Sequence, residues 1–200
     1  MWPRGNPSFS KTINSYAEKL SELEKAVRKM IAESFGLEKY IDEHLNSTNY
    51  LLRFSKYNRP NTPDTELGLS PHTDKSLMTI LHQNQVDGLE LQTKNGSWIK
   101  FKPSTPNSFI VMTSESLTGW LNGRLGATYH RVMMSGNEAR YSLALFSYPK
   151  DGYVIEVPEE MVNEEHPLLF KPFYYEEFIS FDYHNAGQEA PSALRAFCGV

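Results

Sequence analysis

Cysteine is almost absent from this chain. The single thiol, Cys198, lies close to the C-terminus and has no intrachain partner. That excludes an internal disulfide and fits a reducing compartment, with Cys198 expected as a surface thiol of no chemical role. Long apolar runs are missing as well, and nothing approaches the roughly 20 residues that a membrane helix needs. The opening residues, Met1-Trp2-Pro3-Arg4-Gly5, lack a basic segment followed by an apolar core, so no secretory signal is expected and the cytoplasm is the expected location. Positive charge is not in excess: 20 Lys and Arg stand against 24 Asp and Glu, a net charge of −4. No basic stripe is available for a nucleic-acid backbone. A small-molecule substrate is expected, with no nucleic acid, no membrane and no obligate protein partner.

What is present is an ordinary globule of 200 residues, 40% hydrophobic and 22% charged. Such a chain is most simply one folding unit and buries roughly 70% of the surface it exposes when unfolded. Asn6-Pro7-Ser8 is a helix start, with Asn6 as N-cap and Pro7 at the first helical position. Phe9, Ile13, Tyr16, Leu20, Leu23, Val27, Met30 and Ile31 then recur at three- and four-residue steps, while lysines and glutamates fill the other face. Gly36 is the expected C′ glycine. This long helix should back a sheet, and a shorter helix over 37–45 should follow it, making 1–45 a helical segment packed on that sheet.

After Asn46 the period changes. Short runs over 50–54, 77–81, 89–92, 98–101, 109–112 and 141–146 are rich in β-branched, leucine and aromatic residues and separated by turn residues. Asn95-Gly96 between two of them is a two-residue hairpin signal. Many short antiparallel strands at this spacing predict a mainly β fold with flanking helices, a β-sandwich or jelly roll, over 46–150. Residues 58–69 read as a loop, 115–121 as a short helix and 174–183 as a helix. The stretch 151–200 is expected to be a C-terminal helical extension, with loop from Asn185 and a last amphipathic turn at Leu194 and Phe197.

His72-Thr73-Asp74 carries the chemistry. Two apart in a strand, His72 and Asp74 would face one side together. Taken alone, such a triplet is more often a loop histidine beside a turn aspartate than a metal site. A third ligand must come from elsewhere, and His130, in the strand-like run Thr128-Tyr129-His130-Arg131-Val132, is the best placed. His44 and His166 look solvated, His184 belongs to a terminal helix, and His82 follows an apolar strand without a carboxylate at ligand spacing. Two imidazoles and one carboxylate fill one face of an octahedral Fe(II) and leave the other open for a co-substrate and O2. Arg140 and Ser142 are again two apart, in a strand otherwise written in Leu, Ala and Phe. A buried arginine there needs an anion: by itself a structural salt bridge serves as well as a ligand, but beside a metal triad a dicarboxylic acid is favoured.

The residues resemble the plant-type 2-oxoglutarate- and Fe(II)-dependent dioxygenases. The similarity is close over about 50–149, through Ser70-Pro71-His72-Thr73-Asp74, Ser76-Leu77-Met78-Thr79-Ile80-Leu81, Gly88-Leu89-Glu90-Leu91-Gln92, Trp98-Ile99-Lys100, Asn122-Gly123-Arg124, His130-Arg131-Val132 and Arg140-Tyr141-Ser142. Within that family the chain is most similar to the specialised-metabolism branch, including glucosinolate side-chain-modifying and auxin-oxidising members. The resemblance implies a double-stranded β-helix, with Fe(II) held by His72, Asp74 and His130. It implies 2-oxoglutarate bound by Arg140, Ser142 and Tyr57, with O2 as the second co-substrate and ascorbate as reductant. The implied reaction is hydroxylation, desaturation or side-chain cleavage of a small metabolite or hormone, with succinate and CO2 as co-products. Phe54, Trp120, Tyr129, Phe146 and Tyr148 are the expected substrate-pocket walls.

Three departures from the family pattern stand out. The chain begins almost at the long helix, where family members carry a further helical segment and a strand, so an unpaired sheet edge and an open pocket are expected. Ser55 replaces an asparagine, and Ser114-Glu115 stands where Gly-Asp is usual. The first departure motivates a competing reading, a non-catalytic remnant that binds metal and 2-oxoglutarate without turnover. A third reading is a jelly-roll binding module for sugars or peptides in which the histidines are incidental.

Overall fold

The computed structural model describes residues 4–61, 64–103, 105–185 and 192–200. The expectations for Met1-Trp2-Pro3, for the middle of the 58–69 loop and for the stretch after Asn185 fall partly outside those residues. The long helix α1 spans Pro7–Ser34. Its first turn is capped by the Asn6 side chain, which accepts from the Phe9 N–H at 3.0 Å. Its end is closed by Gly36 at φ +70°. The Leu37 N–H returns to the Ala32 carbonyl at 2.9 Å and the Gly36 N–H to Glu33 at 3.1 Å, the two bonds of a Schellman end that a left-handed glycine permits. Helix α2 spans Glu38–Asn46.

Two four-stranded antiparallel sheets follow and form a jelly roll. The strands are β1 Thr48–Tyr57, β2 Glu66–His72, β3 Met78–Gln83, β4 Leu89–Gln92, β5 Trp98–Lys100, β6 Ile110–Thr113, β7 His130–Met134 and β8 Arg140–Pro149. One sheet has the order β1-β8-β3-β6 and the other β2-β7-β4-β5. Period-two alternation sorts each strand into two faces. In β8, Arg140, Ser142, Ala144, Phe146 and Tyr148 share the inward face, opposite Tyr57, Ser55, Arg53, Leu51 and Asn49 of β1. Leu81, Ile110, Met112, Leu89 and Ala144 fill the space between the sheets. A larger cluster, with Met78, Ile80, Leu145, Leu20 and Ala32, sits between the outer face of the first sheet and the helices.

The remaining elements are α3 Glu115–Trp120, a hairpin of β9 Val154–Ile155 with β10 Phe173–Tyr174, a single 3-10 turn Glu159–Met161, α4 Tyr175–His184 and α5 Ala193–Cys198. Their buried residues Trp120, Ile155, Met161, Phe173, Phe178 and Leu194 join the larger cluster. No helix among the described residues is long and apolar enough to cross a membrane.

Several local expectations change. Residues 66–69 are strand rather than loop, because they ladder onto Met134, Met133 and Val132 of β7. Cys198 is buried rather than superficial. His44 is buried too, its ring stacked on Trp120 at 4.1 Å. On α1, Met30 is 66% exposed, whereas Glu24 and Arg28 are wholly buried as an ion pair at 2.9 Å. Arg28 also donates to the Thr48 hydroxyl at 2.9 Å, and the Tyr50 hydroxyl donates to Glu24 at 3.0 Å. These bonds offset part of the cost of taking the pair out of water and clip α1 to β1, while Glu24 Oε1 and Arg28 Nε have no hydrogen-bond partner among the described residues. Strand β1 is the outer strand of its sheet among the described residues, with Leu51 and Phe54 about half exposed.

Candidate metal centre

His72 ends β2 and His130 begins β7, and the two are paired across the ladder. Their ring centroids lie 4.3 Å apart. Asp74 stands two residues past the end of β2, in the connection to β3 rather than in the strand itself. His72 Nε2 lies 3.6 Å from Asp74 Oδ1. One ligand atom from each of His72, Asp74 and His130 falls within 4.8 Å of the others, close enough to share a metal ion.

The atoms not facing the centre are each held. His72 Nδ1 lies 2.8 Å from the Ser70 carbonyl, and His130 Nδ1 lies 3.0 Å from the Thr128 carbonyl. A carbonyl only accepts, so each Nδ1 carries the proton and each Nε2 keeps a lone pair toward the centre. Asp74 Oδ2 accepts from the Thr79 hydroxyl at 2.6 Å, which leaves Oδ1 inward. Burial opposes charge on Asp74, but His72, His130 and Thr79 outweigh it and hold the carboxyl below its ordinary pKa. Burial lowers the pKa of His130 against the pull of Asp74. His72 is also penalised by burial, yet Asp74 and the Ser70 carbonyl raise it overall. One anionic oxygen and two neutral-capable nitrogens, turned to one point, are a donor set that fits Fe(II) and leaves coordination sites open.

The loop bearing Asp74 is braced from behind. Glu115, at the start of α3, accepts from the Thr73 hydroxyl and from Lys75 Nζ at 2.7 Å. Its other oxygen accepts from the Leu194 N–H at 2.7 Å, so the metal loop is joined to α5. Lys75 also reaches Asp182 of α4 at 3.5 Å.

Arg140 is fully buried and paired in register with Tyr57, whose ring lies 5.1 Å from the guanidinium carbon. Nη2 donates to Gln83 at 2.7 Å. Nε and Nη1 find no hydrogen-bond partner among the described residues. Burial pulls the Arg140 pKa down, partly offset by Tyr57. Among the described residues no carboxylate forms an ion pair with this cation, so the sheet itself supplies no salt bridge to it. Two orphaned donors in a fixed fork are the arrangement an anionic carboxylate would complete. Gly88 permits it: a Cβ there would stand 3.0 Å from Arg140 Cδ. Ser142 is buried on the same inward face of β8.

A cavity of about 730 Å³ opens beside His72 and Asp74. Tyr129, Phe146 and Tyr148 line it, with Leu51, Arg53, Tyr175, Ile179 and Phe181. Two expected wall residues do not. Phe54 points to the opposite face of β1, its ring 6.2 Å from Phe9, because it is odd in register with Arg53. Trp120 is buried in the core under α3 against His44. Arg140, Ser142 and Tyr57 lie farther along the inward face and do not line this cavity.

Thr79, Gln83, Glu115 and Arg53 were missed from sequence. The available signal was a polar side chain at an inward position of an otherwise apolar strand, Thr79 and Gln83 in β3 above all.

A jelly roll carrying two histidines and one aspartate at its mouth defines a mononuclear non-haem metal protein. The chain belongs to the 2OG-Fe(II) oxygenase superfamily, whose family model matches residues 43–149. It is 55% identical over 203 residues to the probable 2-oxoglutarate-dependent dioxygenase AOP1.2 of Arabidopsis thaliana, covering 98% of this chain and 63% of the relative. The chain thus spans less than two thirds of that relative's length. The rice dioxygenase for auxin oxidation superposes with a TM-score of 0.86 at 28% identity, covering 98% of this chain and 65% of that one. JOX2, solved in complex with 2OG, Fe and JA, gives a TM-score of 0.81 at 30% identity, over 90% of this chain and 54% of that one.

Proposed function

We propose that the chain is a 2-oxoglutarate-dependent dioxygenase that oxidises a small specialised metabolite or hormone. The observation that carries this is the convergence of His72, Asp74 and His130 with their outer atoms tied to Ser70, Thr79 and Thr128. His72, Asp74 and His130 would hold Fe(II). Arg140, with Ser142 and Tyr57 beside it, would hold the far carboxylate of 2-oxoglutarate. Fe(II) held there would let O2 act as the oxidant, which takes two electrons from 2-oxoglutarate as it becomes succinate and CO2 and two from the substrate.

The protein's part is positional. The backbone carbonyls of Ser70 and Thr128 fix both imidazole tautomers, and Thr79 fixes the carboxylate. The aromatic cavity beside His72 and Asp74 receives the substrate and limits water around the reacting carbon. The named activities of the relatives, auxin oxidation in the rice protein and a JA complex in JOX2, support a hormone-sized substrate of this kind.

One observation favours the second reading, metal and 2-oxoglutarate binding without turnover: Leu51, a cavity-lining residue, sits half exposed on the outer strand β1. Succinate formed from 2-oxoglutarate by the purified chain, with Fe(II) and ascorbate added, separates the two. Fe(II)-dependent succinate that is lost in His72→Ala supports the dioxygenase. Binding of both ligands with no succinate supports the second reading, and binding of neither contradicts both.

A further inference from the structure

Two walls of the cavity beside the metal triad are joined through one side chain. One wall is the connection that carries Asp74, with Thr73, Lys75 and Ser76. The other is the C-terminal pair α4 and α5, with Tyr175, Ile179, Phe181, Ala193 and Ala196. Ring packing fastens that pair together. Phe197 of α5 stacks on Phe178 at 5.5 Å and lies 5.2 Å from Phe181, both on α4.

Glu115 is buried where the two walls meet. Its N–H donates to the Asp74 carbonyl at 2.9 Å. Ser116 beside it donates its N–H to the Ser76 carbonyl at 3.1 Å and its hydroxyl to the Lys75 carbonyl at 2.6 Å. The Glu115 carboxylate then takes the side chains on both sides of Asp74, because the Thr73 hydroxyl and Lys75 Nζ both donate to Oε1. Oε2 accepts from the Leu194 N–H in the first turn of α5 at 2.7 Å. A carboxylate is planar and rigid, so displacing the Oε1 end displaces Oε2 as well. Lys75 adds a second tie, to Asp182 of α4 at 3.5 Å.

We propose that Glu115 is a positioning residue that couples the metal centre to the opposite wall of the cavity. With His72, Asp74 and His130 closed on a metal ion, Glu115 holds the α4–α5 wall in place; with the centre empty, that wall opens more readily. This rests on the reading of those three residues as metal ligands and of the cavity as the substrate site. The coupling is reciprocal, so whatever braces α5 also steadies Asp74. An acid one methylene shorter at this position loses one of its two ends, so the double reach belongs to the glutamate.

The test is amide hydrogen exchange of the purified chain with and without saturating Mn(II), a divalent ion that accepts the same nitrogen and oxygen donors. Leu194 reads the bond to Glu115. Ala196, whose N–H goes to the Ser192 carbonyl at 3.2 Å, reads the helix itself. Ile41 of α2 is the reference for the general stabilisation that any bound ligand brings. Mn(II) should raise protection at Leu194 and Ala196 about tenfold beyond any rise at Ile41, the scale of coupling between linked sites. That extra rise at Ala196 should vanish in Glu115→Asp, and also in Glu115→Gln, where one of the two acceptors becomes a donor. A Glu115 that only stabilised the fold would lower protection equally with and without the ion. Mn(II) binding with no extra rise in the parent chain, or an extra rise that survives in either variant, overturns the inference and leaves the metal centre standing. Absence of Mn(II) binding overturns both.

Discussion

Thr79 and Asp74 are joined by a hydroxyl-to-carboxylate hydrogen bond of 2.6 Å, and this bond decides which Asp74 oxygen faces the histidines. Thr79 sits opposite Phe146 in the β3–β8 register, pointing into the roll. The neighbouring positions Met78 and Ile80 point to the helices and contribute only to the core. Replacing Thr79 by Val keeps the shape and removes the donor. Supporting partners of metal ligands are typically worth about 10–100-fold in affinity. Thr79→Val should therefore weaken Fe(II) binding by at least about tenfold while its melting temperature changes little. An anaerobic metal titration checks this, and an unchanged affinity would mean the Asp74 rotamer is held by something else.

Gly88 leaves room for the Arg140 shaft. An added methyl would meet Arg140 Cδ at 3.0 Å and the Met133 carbonyl at 3.3 Å. Overpacking of this kind costs about 1–3 kcal/mol. Gly88→Ala should therefore weaken 2-oxoglutarate binding about tenfold without changing metal affinity. Arg140→Lys should weaken it further, because one ammonium cannot reproduce the two-pronged donor. Calorimetric titration of 2-oxoglutarate into the metal-loaded chain reads both, and equal affinity in Arg140→Lys would remove that residue from the co-substrate site.

His44 makes stability depend on acid. Burial, and then the charge of Arg28, hold its pKa well below 6.5, and neither ring nitrogen has a hydrogen-bond partner among the described residues. The folded protein keeps the ring neutral, while the unfolded chain takes up a proton near pH 6.5. The contribution is therefore complete above about pH 6.5 and is lost as the pH falls below it, by up to about 1.4 kcal/mol per pH unit. His44→Phe, which retains a ring against Trp120, should flatten this part of the slope. Urea unfolding of both proteins between about pH 5 and 8 measures it, and parallel slopes would show that His44 titrates alike in both states.

The sequence made the fold class readable because the roll is built from strands whose apolar alternation survives in one dimension. The helix ends at Asn6 and Gly36 were readable for the same reason, since capping is local. What escaped was long-range pairing. Glu24 and Arg28 look like polar-face residues of α1, and only Thr48 and Tyr50 on β1 explain their burial. His44 looked solvated because nothing local shows Trp120 arriving over it. Residues 66–69 carry loop neighbours, yet β7 recruits them into a strand. Phe54 was placed in the pocket by type, whereas its face is fixed by register, which one residue inverts. Arg53, one position away, took the place expected of it.

Glu115 links three parts of the molecule: the metal loop through Thr73 and Lys75, α3 on which it sits, and α5 through Leu194. It stands where the family pattern has an aspartate, and the longer arm is what reaches the Leu194 N–H. Glu115→Gln keeps the size and removes the charge, leaving Asp182 at 3.5 Å as the carboxylate partner of Lys75 among the described residues. A loss of about 1–3 kcal/mol is expected, with a matching drop in metal affinity as the Thr73–Asp74 turn loosens. Hydrogen exchange of the Leu194 amide, compared between the two proteins, checks the coupling; unchanged protection would show that α5 docks without it.

The most direct measurement is the anaerobic titration of Fe(II) into the purified chain and into His72→Ala, Asp74→Ala and His130→Ala. One Fe(II) per chain should bind to the parent, and each single replacement should abolish or severely weaken that binding. Stoichiometric binding that persists in any one of the three would contradict a shared centre and with it the function proposed for this chain.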